Sequence, residues 1–305
     1  MMPVLPISRK RWLLVRNGAL GDTILLSTVV QVIRRHDPNG WIELMGVRER
    51  VDLLAGNGLA DAAVSFDRPG IESLYAENRP LSEEIRDYFA SFDTIVFYMS
   101  GNHERMRKRL QIREDQVISV HPALPHEEYN EHVTRHYLVA LQGILPFPIE
   151  PVPRPVIGIE ALQGTIGRRT CRGKQGYHFR LALHVGAGSP AKQAPADCFV
   201  RVAELFRELM PTSLLVIKGP ADNDAIERFL ALLPSHHQIE ILDNAPLRKL
   251  AVTLSICDLF VGNDSGVAHL AAAVLCPTLV LFMITDPVVW SPLGEHVRVL
   301  SLKHE

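Results

Sequence analysis

The chain has 305 residues, 47% of them hydrophobic and 22% charged, which suits a folded protein of one large or two ordinary domains and excludes disorder as its main state. The net charge of -2 excludes a global nucleic-acid-binding surface, though not a local basic patch. No run reaches the ~18 apolar residues of a membrane span, and Met1 to Lys10 lacks the apolar core of a secretory signal. A cytoplasmic protein is expected, or one that visits a membrane surface without crossing it. Cys171, Cys198, Cys257 and Cys276 form no CxxC pair and fit no zinc module, so they read as free thiols.

Strand and helix signals alternate. Trp12 to Arg16 is a short apolar run that stops at Asn17-Gly18, and a helical face begins at Thr23 with Ile24, Leu25, Thr28, Val29, Val32 and Ile33. It ends at the turn signal His36-Asp37-Pro38-Asn39-Gly40. Trp41 to Val47 reads as a strand followed by a short helix through Leu53 and Leu54. Further strands are expected at Ala62 to Phe66, Thr94 to Met99 and Gln116 to Val120, with helices at Leu81 to Ala90 and Asn130 to Leu145. Pro146, Pro148, Pro151, Pro153 and Pro155 then crowd together, and proline blocks regular structure, so a linker falls here. The polar, basic, glycine-containing stretch Gly164 to Gly176 reads as an exposed loop.

A second series follows. Its strands are Leu181 to Val185, Ser213 to Lys218, Gln238 to Leu242, Asp258 to Gly262, Thr278 to Phe282 and Val297 to Ser301. Its helices are Asp197 to Leu209, Asn223 to Leu233, Leu247 to Ile256 and Val267 to Leu275. Apolar strands alternating with helices give parallel sheets covered by helices. The expected class is α/β, with two Rossmann-like domains, residues 1–150 and 151–305, facing a cleft.

Three strand-to-helix turns carry chemistry, because ligands in open α/β sheets sit beyond the carboxyl ends of strands. In the first, Gly18 and Gly21 permit a tight turn, and Asp22 falls at the helix start as either a cap or a cleft-facing carboxylate. Arg16 stands where a dinucleotide fingerprint needs glycine, which disfavours a nicotinamide dehydrogenase. In the second, Gly186, Gly188, Ser189 and Lys192 offer backbone N–H groups and a point charge, an anion site suited to phosphate or else a solvated loop. It lacks the ending of a Walker loop. In the third, Ser265, Gly266 and Val267 open a helix whose first N–H groups can hold phosphate. Asp264 beside them can accept sugar hydroxyls, and His269 is a core histidine or a site residue.

Asp222 ends a further strand and can accept a ribose hydroxyl, while Asp222-Asn223-Asp224 is a DxD triplet read as no metal site. His236 and His237 follow Pro234 with no partner at ligand spacing and read as surface. Arg105, Arg107, Lys108, Arg109 and Arg113 make a basic cluster, either a solvated helix face or a grip for an anionic acceptor that Arg48 and Arg50 extend.

The motifs GALGDTILLSTVV, HVGAGSPAK, GPADND and GNDSGVAHLAAAVLCPTLVLF followed by TDPVVWSPLG resemble glycosyltransferase family 9, the ADP-heptose:lipopolysaccharide heptosyltransferases and their relatives. The resemblance covers nearly the whole chain. It implies a GT-B fold, with an N-terminal acceptor domain and a C-terminal nucleotide-sugar domain, and inverting transfer without metal or cofactor. It implies that Asp22 is the catalytic base and Lys192 the diphosphate clamp. Asp264, Ser265, Gly266 and His269, with Gly186, Gly188 and Ser189, are then donor contacts, and Asp222 a ribose contact. Gly21, Arg48, Arg107 and Arg109 fall on the acceptor side. The implied partners are an ADP-linked sugar and an anionic glycolipid at the cytoplasmic face of the inner membrane, not nucleic acid. Two features depart from the family. Gln193-Ala194-Pro195 replaces the usual Arg-Trp-Pro, and few residues follow Ser301 for the C-terminal helix that GT-B proteins return to the first domain. The rival readings are a nucleotide-sugar epimerase of the same architecture and an inactive nucleotide-sugar-binding module.

Overall fold

The computed structural model describes residues 9–56, 58–76, 80–150, 152–159, 172–173 and 176–302. Cys171 and most of the expected loop at 164–176 lie outside the described residues. The chain forms two compact units: one of residues up to Gly18, Leu26–Tyr129 and Val133–Pro153, and one of Ala19–Leu25, Asn130–His132 and the residues from Arg154 on.

In the first unit, β1 (Arg11–Arg16) leads through a short turn into α1 (Leu20–His36), whose residues up to Leu25 count with the second unit, followed by β2 (Trp41–Gly46), α2 (Arg48–Val51), β3 (Ala62–Ser65), α3 (Glu83–Ala90), β4 (Thr94–Met99), α4 (His103–Leu110), β5 (Val117–Pro122) and α5 (Val133–Val139). The strands pair in parallel in the order β3-β2-β1-β4-β5. Leu13, Leu14 and Val15 are fully buried, as expected of a central parallel strand covered on both faces. Leu13, Val15, Met45, Phe89, Ile95 and Phe97 pack in one core cluster.

The second unit opens with a small hairpin, β6 (Arg172–Gly173) and β7 (Gly176–Tyr177). It continues as β8 (Phe179–His184), α6 (Ala196–Leu209), β9 (Thr212–Lys218), α7 (Asn223–Leu232), β10 (Gln238–Asp243), α8 (Leu247–Leu254), β11 (Leu259–Asn263), α9 (Gly266–Ala273), β12 (Thr278–Phe282), α10 (Pro287–Trp290) and β13 (Val297–Ser301). Its parallel sheet runs β10-β9-β8-β11-β12-β13. The strand order reverses between β8 and β11, the switch point beyond whose carboxyl ends ligands bind in open α/β sheets. The loops that leave these two strands are the second and third motifs of the sequence.

One expected helix is much shorter than its pattern. Of Asn130 to Leu145 only Val133–Val139 is helical. Before it, the His132 ring is held 2.8 Å from the Ser291 carbonyl oxygen. After it, Leu141 and Gln142 bond back three residues rather than four, and Gly143 has a φ of 79°, a left-handed geometry that stops the helix.

Candidate active site

The third motif is anchored by a buried asparagine. Asn263 ends β11 and is fully buried; its side-chain amide donates to the carbonyls of Val185 and Gly186 at 2.9 and 3.1 Å and accepts from Ala194 N–H at 2.9 Å. One residue thereby ties the loop after β8 to the loop after β11. Ser265 caps α9, its hydroxyl accepting from Ala268 N–H at 3.4 Å. The N–H groups of Gly266 and Val267, in the first turn, have no intrahelical acceptor, so the start of α9 is suited to an anion.

Lys192 closes a single 3-10 turn, Pro190–Lys192, and its Nζ lies 2.7 Å from Asp264 Oδ2. The same oxygen accepts from Thr285 Oγ1 at 2.7 Å. The carboxylate is almost wholly buried while the ammonium is 30% exposed. The pair therefore holds a fixed anion inside and presents a cation at the surface of the site. Gly188 has nothing within 4 Å of where a Cβ would stand, so the loop beside Lys192 borders open space.

A buried relay supports this corner. Ser265 Oγ is 3.2 Å from His184 Nδ1, and His184 Nε2 is 3.1 Å from Asp222 Oδ2, which also accepts from Gly219 N–H at 2.7 Å. Burial acts to raise the Asp222 pKa, but the hydrogen bond and charge of His184 and the Gly219 N–H outweigh it, and the net shift is downward. A Cβ on Gly186 would stand 1.9 Å from Asp222 Oδ1, so only glycine fits there. Asp222 thus turns inward, away from the exposed Asp224 of the DxD triplet.

Asp22 is the third residue of α1 and not its cap. Its Oδ2 accepts from Ala19 N–H at 2.9 Å, the backward half of a capping box, which fixes the carboxylate's orientation. The starts of α1 and α9 meet through glycines. A Cβ on Gly266 would fall 2.7 Å from Leu20 Cβ and 2.9 Å from Gly21 N, and one on Gly21 would fall 3.1 Å from His269 Cδ2. His269 is buried, and its pKa is pushed down to about 4, chiefly by desolvation. Asp264 and Asp22 pull it upward, while His132 and Lys192 push it down. At neutral pH it is an uncharged imidazole.

The basic residues do not form one patch. Arg105 and Arg109 donate to the carbonyls of Tyr75 and Ser73, at 2.7 and 2.6 Å. Arg113 pairs with Asp93 and Asp115, Lys108 with Glu104, and Arg48 with Asp52. Arg50 donates to the Gly18 carbonyl and so braces the first motif. Arg107 is exposed on α4 and borders a groove of about 450 Å³ with His103, Ser119 and His121.

His184, Asn263 and Thr285 lay inside the motifs without a role, because a role that depends on a partner some 20 to 80 positions away leaves no local spacing. His236 and His237 need correction. Both rings meet Glu204, and the His237 side chain is only 1% exposed, so neither is a plain surface residue without a partner.

Residues 109–305 match the model of glycosyltransferase family 9 (heptosyltransferase). The chain belongs to glycosyltransferase family 9. It is 30% identical to lipopolysaccharide heptosyltransferase 2 of Escherichia coli K12 over 302 residues, covering 93% of this chain and 85% of that protein. A match at 31% to the Salmonella typhimurium protein of the same name is shorter, spanning 37% of this chain and a third of that protein. The solved structure of E. coli heptosyltransferase WaaC with ADP aligns over 95% of this chain and 93% of its own, with a TM-score of 0.69 at 14% identity. The fold of this family 9 enzyme is accordingly GT-B: two parallel-sheet units of five and six strands. Among its described residues no helix is long and apolar enough to cross a membrane.

Proposed function

We propose that this glycosyltransferase moves a heptosyl group from ADP-heptose to a lipopolysaccharide-core or related anionic glycan, inverting the anomeric centre without a metal. The observation that carries the reading is the Lys192–Asp264 pair beside the open start of α9. A leaving nucleotide diphosphate gains negative charge as the glycosidic bond breaks. Lys192 and the N–H groups of α9 are aimed at that charge, so they bind the transition state more tightly than the ground state. Asp264, held by Lys192 and Thr285, is placed to accept hydroxyls of the donor. The relay from Asp222 through His184 keeps Ser265 in its capping position, so the helix start stays preorganised.

A sugar hydroxyl is a weak nucleophile near neutral pH. A carboxylate in reach takes its proton as the new bond forms. Asp22 is that base in this reading, its carboxylate oriented by Ala19 N–H. His269, uncharged at the working pH, lies against Gly21 and adds no positive charge beside this motif. In the first unit, Arg107 and its groove offer a cation to acceptor phosphate or carboxylate. The names of the E. coli and Salmonella relatives, and the ADP held by WaaC, support the choice of sugar and base.

Donor class is tested by thermal shift against ADP-, UDP- and GDP-sugars. The matching nucleotide at 100 times its Kd adds about 2.7 kcal/mol of stability. A rise with ADP-sugars alone is expected; an equal or larger rise with UDP- or GDP-sugars would overturn the choice of base.

A further inference from the structure

Glu204 and the adjacent histidines His236 and His237 take no part in the chemistry above. Glu204 lies on α6, and the histidines lie in the turn just before β10. The turn sits at the amino end of the sheet, whereas the Lys192 and Asp264 loops leave its carboxyl end. His236 Nε2 and His237 Nε2 lie 2.8 and 2.5 Å from the same oxygen, Glu204 Oε1. The ligand atoms of all three residues fall within 4.8 Å of one another. His237 is almost fully buried, Glu204 is 27% exposed and His236 is 44% exposed, so the cluster is rigid on one side and open to solvent on the other.

We infer that Glu204, His236 and His237 bind one zinc-class divalent cation, which clips the turn before β10 to α6. Two imidazoles and a carboxylate are the borderline ligand set that zinc, cobalt and nickel favour over magnesium or calcium. In a tetrahedral site with bonds near 2.0–2.1 Å, neighbouring ligand atoms stand about 3.3 Å apart. The two gaps to Glu204 Oε1 open to that value by movements under about 1 Å, which the exposed His236 ring and the Glu204 side chain can supply. Water fills the fourth position from the open side. The Nε2 atoms that now point their protons at Glu204 Oε1 must give those protons up, to Nδ1 of the same ring or to solvent, before each lone pair can reach the metal, and the carboxylate completes the set. His237 Nδ1 has no hydrogen-bond partner among the described residues. A metal-bound imidazole normally donates that proton to an acceptor, and lack of one weakens binding by about 10–100-fold, so micromolar affinity is expected. The clip lies away from the reacting groups, so it fastens the structure and does not act in transfer.

The test titrates the metal-free full chain with Zn2+ against a chromophoric chelator, and with Co2+ read by its visible absorption. One equivalent per chain should bind. His236→Ala, at an exposed position, and Glu204→Gln, which keeps the side chain's shape, should each weaken binding by about tenfold or more. Transfer activity should be unchanged in both variants and in EDTA. No binding to the wild type, or an affinity that neither substitution alters, would overturn the proposal. Buried His237 is kept out of the test because its loss could unfold the turn.

Discussion

The loops after β8 and β11 and the basic face of α4 both carry residues suited to anions, but they use them differently. In the loops, the polar groups are buried and answer one another: Asn263 joins two loops, Asp264 takes Lys192 and Thr285, and Asp222 takes His184 and Gly219. The one strong cation is left at the rim, 30% exposed. On α4 and just after it, the charge is denser, yet Arg105, Arg109 and Arg113 are engaged with their own unit's carbonyls and carboxylates. A site is therefore better recognised by how few charges it leaves to a ligand, and how firmly they are held, than by the number of basic residues in a row.

The largest effect should come from Asp22→Asn. If the carboxylate is the base, kcat falls by ~10²–10⁴-fold while the donor Kd stays nearly unchanged. Asparagine keeps an oxygen for Ala19 N–H, so the helix start survives. Transfer within a few-fold of wild type would reduce Asp22 to its capping bond. Lys192→Ala comes next. It removes a charge-assisted bond of ~1.5–3 kcal/mol and leaves the buried Asp264 carboxylate without its cation. Donor Kd should rise and kcat fall; a donor Kd equal to wild type would place the ammonium in solvent.

Acid should weaken the fold through the buried histidines. His269 is lowered from 6.5 to about 4, and His132 is lowered as well, both chiefly by desolvation. Between pH 6.5 and about 4 the unfolded chain takes up protons that the folded chain refuses, so stability falls as pH drops through that window. Chemical denaturation at several pH values should show this slope, and it should flatten in His269→Gln. A slope unchanged in that variant would show that His269 is not the group responsible.

The smallest effects separate the two kinds of arginine on α4. Arg109→Ala loses the bond to Ser73 and should cost about 1 kcal/mol of stability. Arg107→Ala should change stability by less than about 0.5 kcal/mol but raise the acceptor KM, with the KM also rising in salt. If Arg107→Ala and salt leave the KM alone, the acceptor carries no charge that this face reads.

The alternating pattern was legible because parallel strands buried on both faces are continuous apolar runs. Thr94–Met99, Thr278–Phe282 and Val297–Ser301 appear in the structure with the limits their sequence suggests. The loop motifs were legible because glycine, aspartate and lysine cluster where strands end. What stayed hidden depends on distant partners. Lys192 reaches Asp264 across 72 positions, His184 finds Asp222 across 38, and Glu204 finds His236 across 32. The helix expected from Asn130 was cut short for the same reason, since the contact from His132 to Ser291 spans 159 positions. Asp22 was expected at the helix start, but that its oxygen reaches back to Ala19 depends on where the first turn begins.

One measurement bears on the whole reading: NMR analysis of the products formed from ADP-heptose with and without a lipopolysaccharide-core acceptor, in excess EDTA. The expected result is ADP and a heptosylated acceptor whose anomeric configuration is opposite to the donor's, with the donor left unchanged when no acceptor is present. A donor epimerised without acceptor, a product of retained configuration, or a reaction that stops in EDTA and resumes only with Mg2+ would show that Asp22, Lys192 and the start of α9 perform a different chemistry.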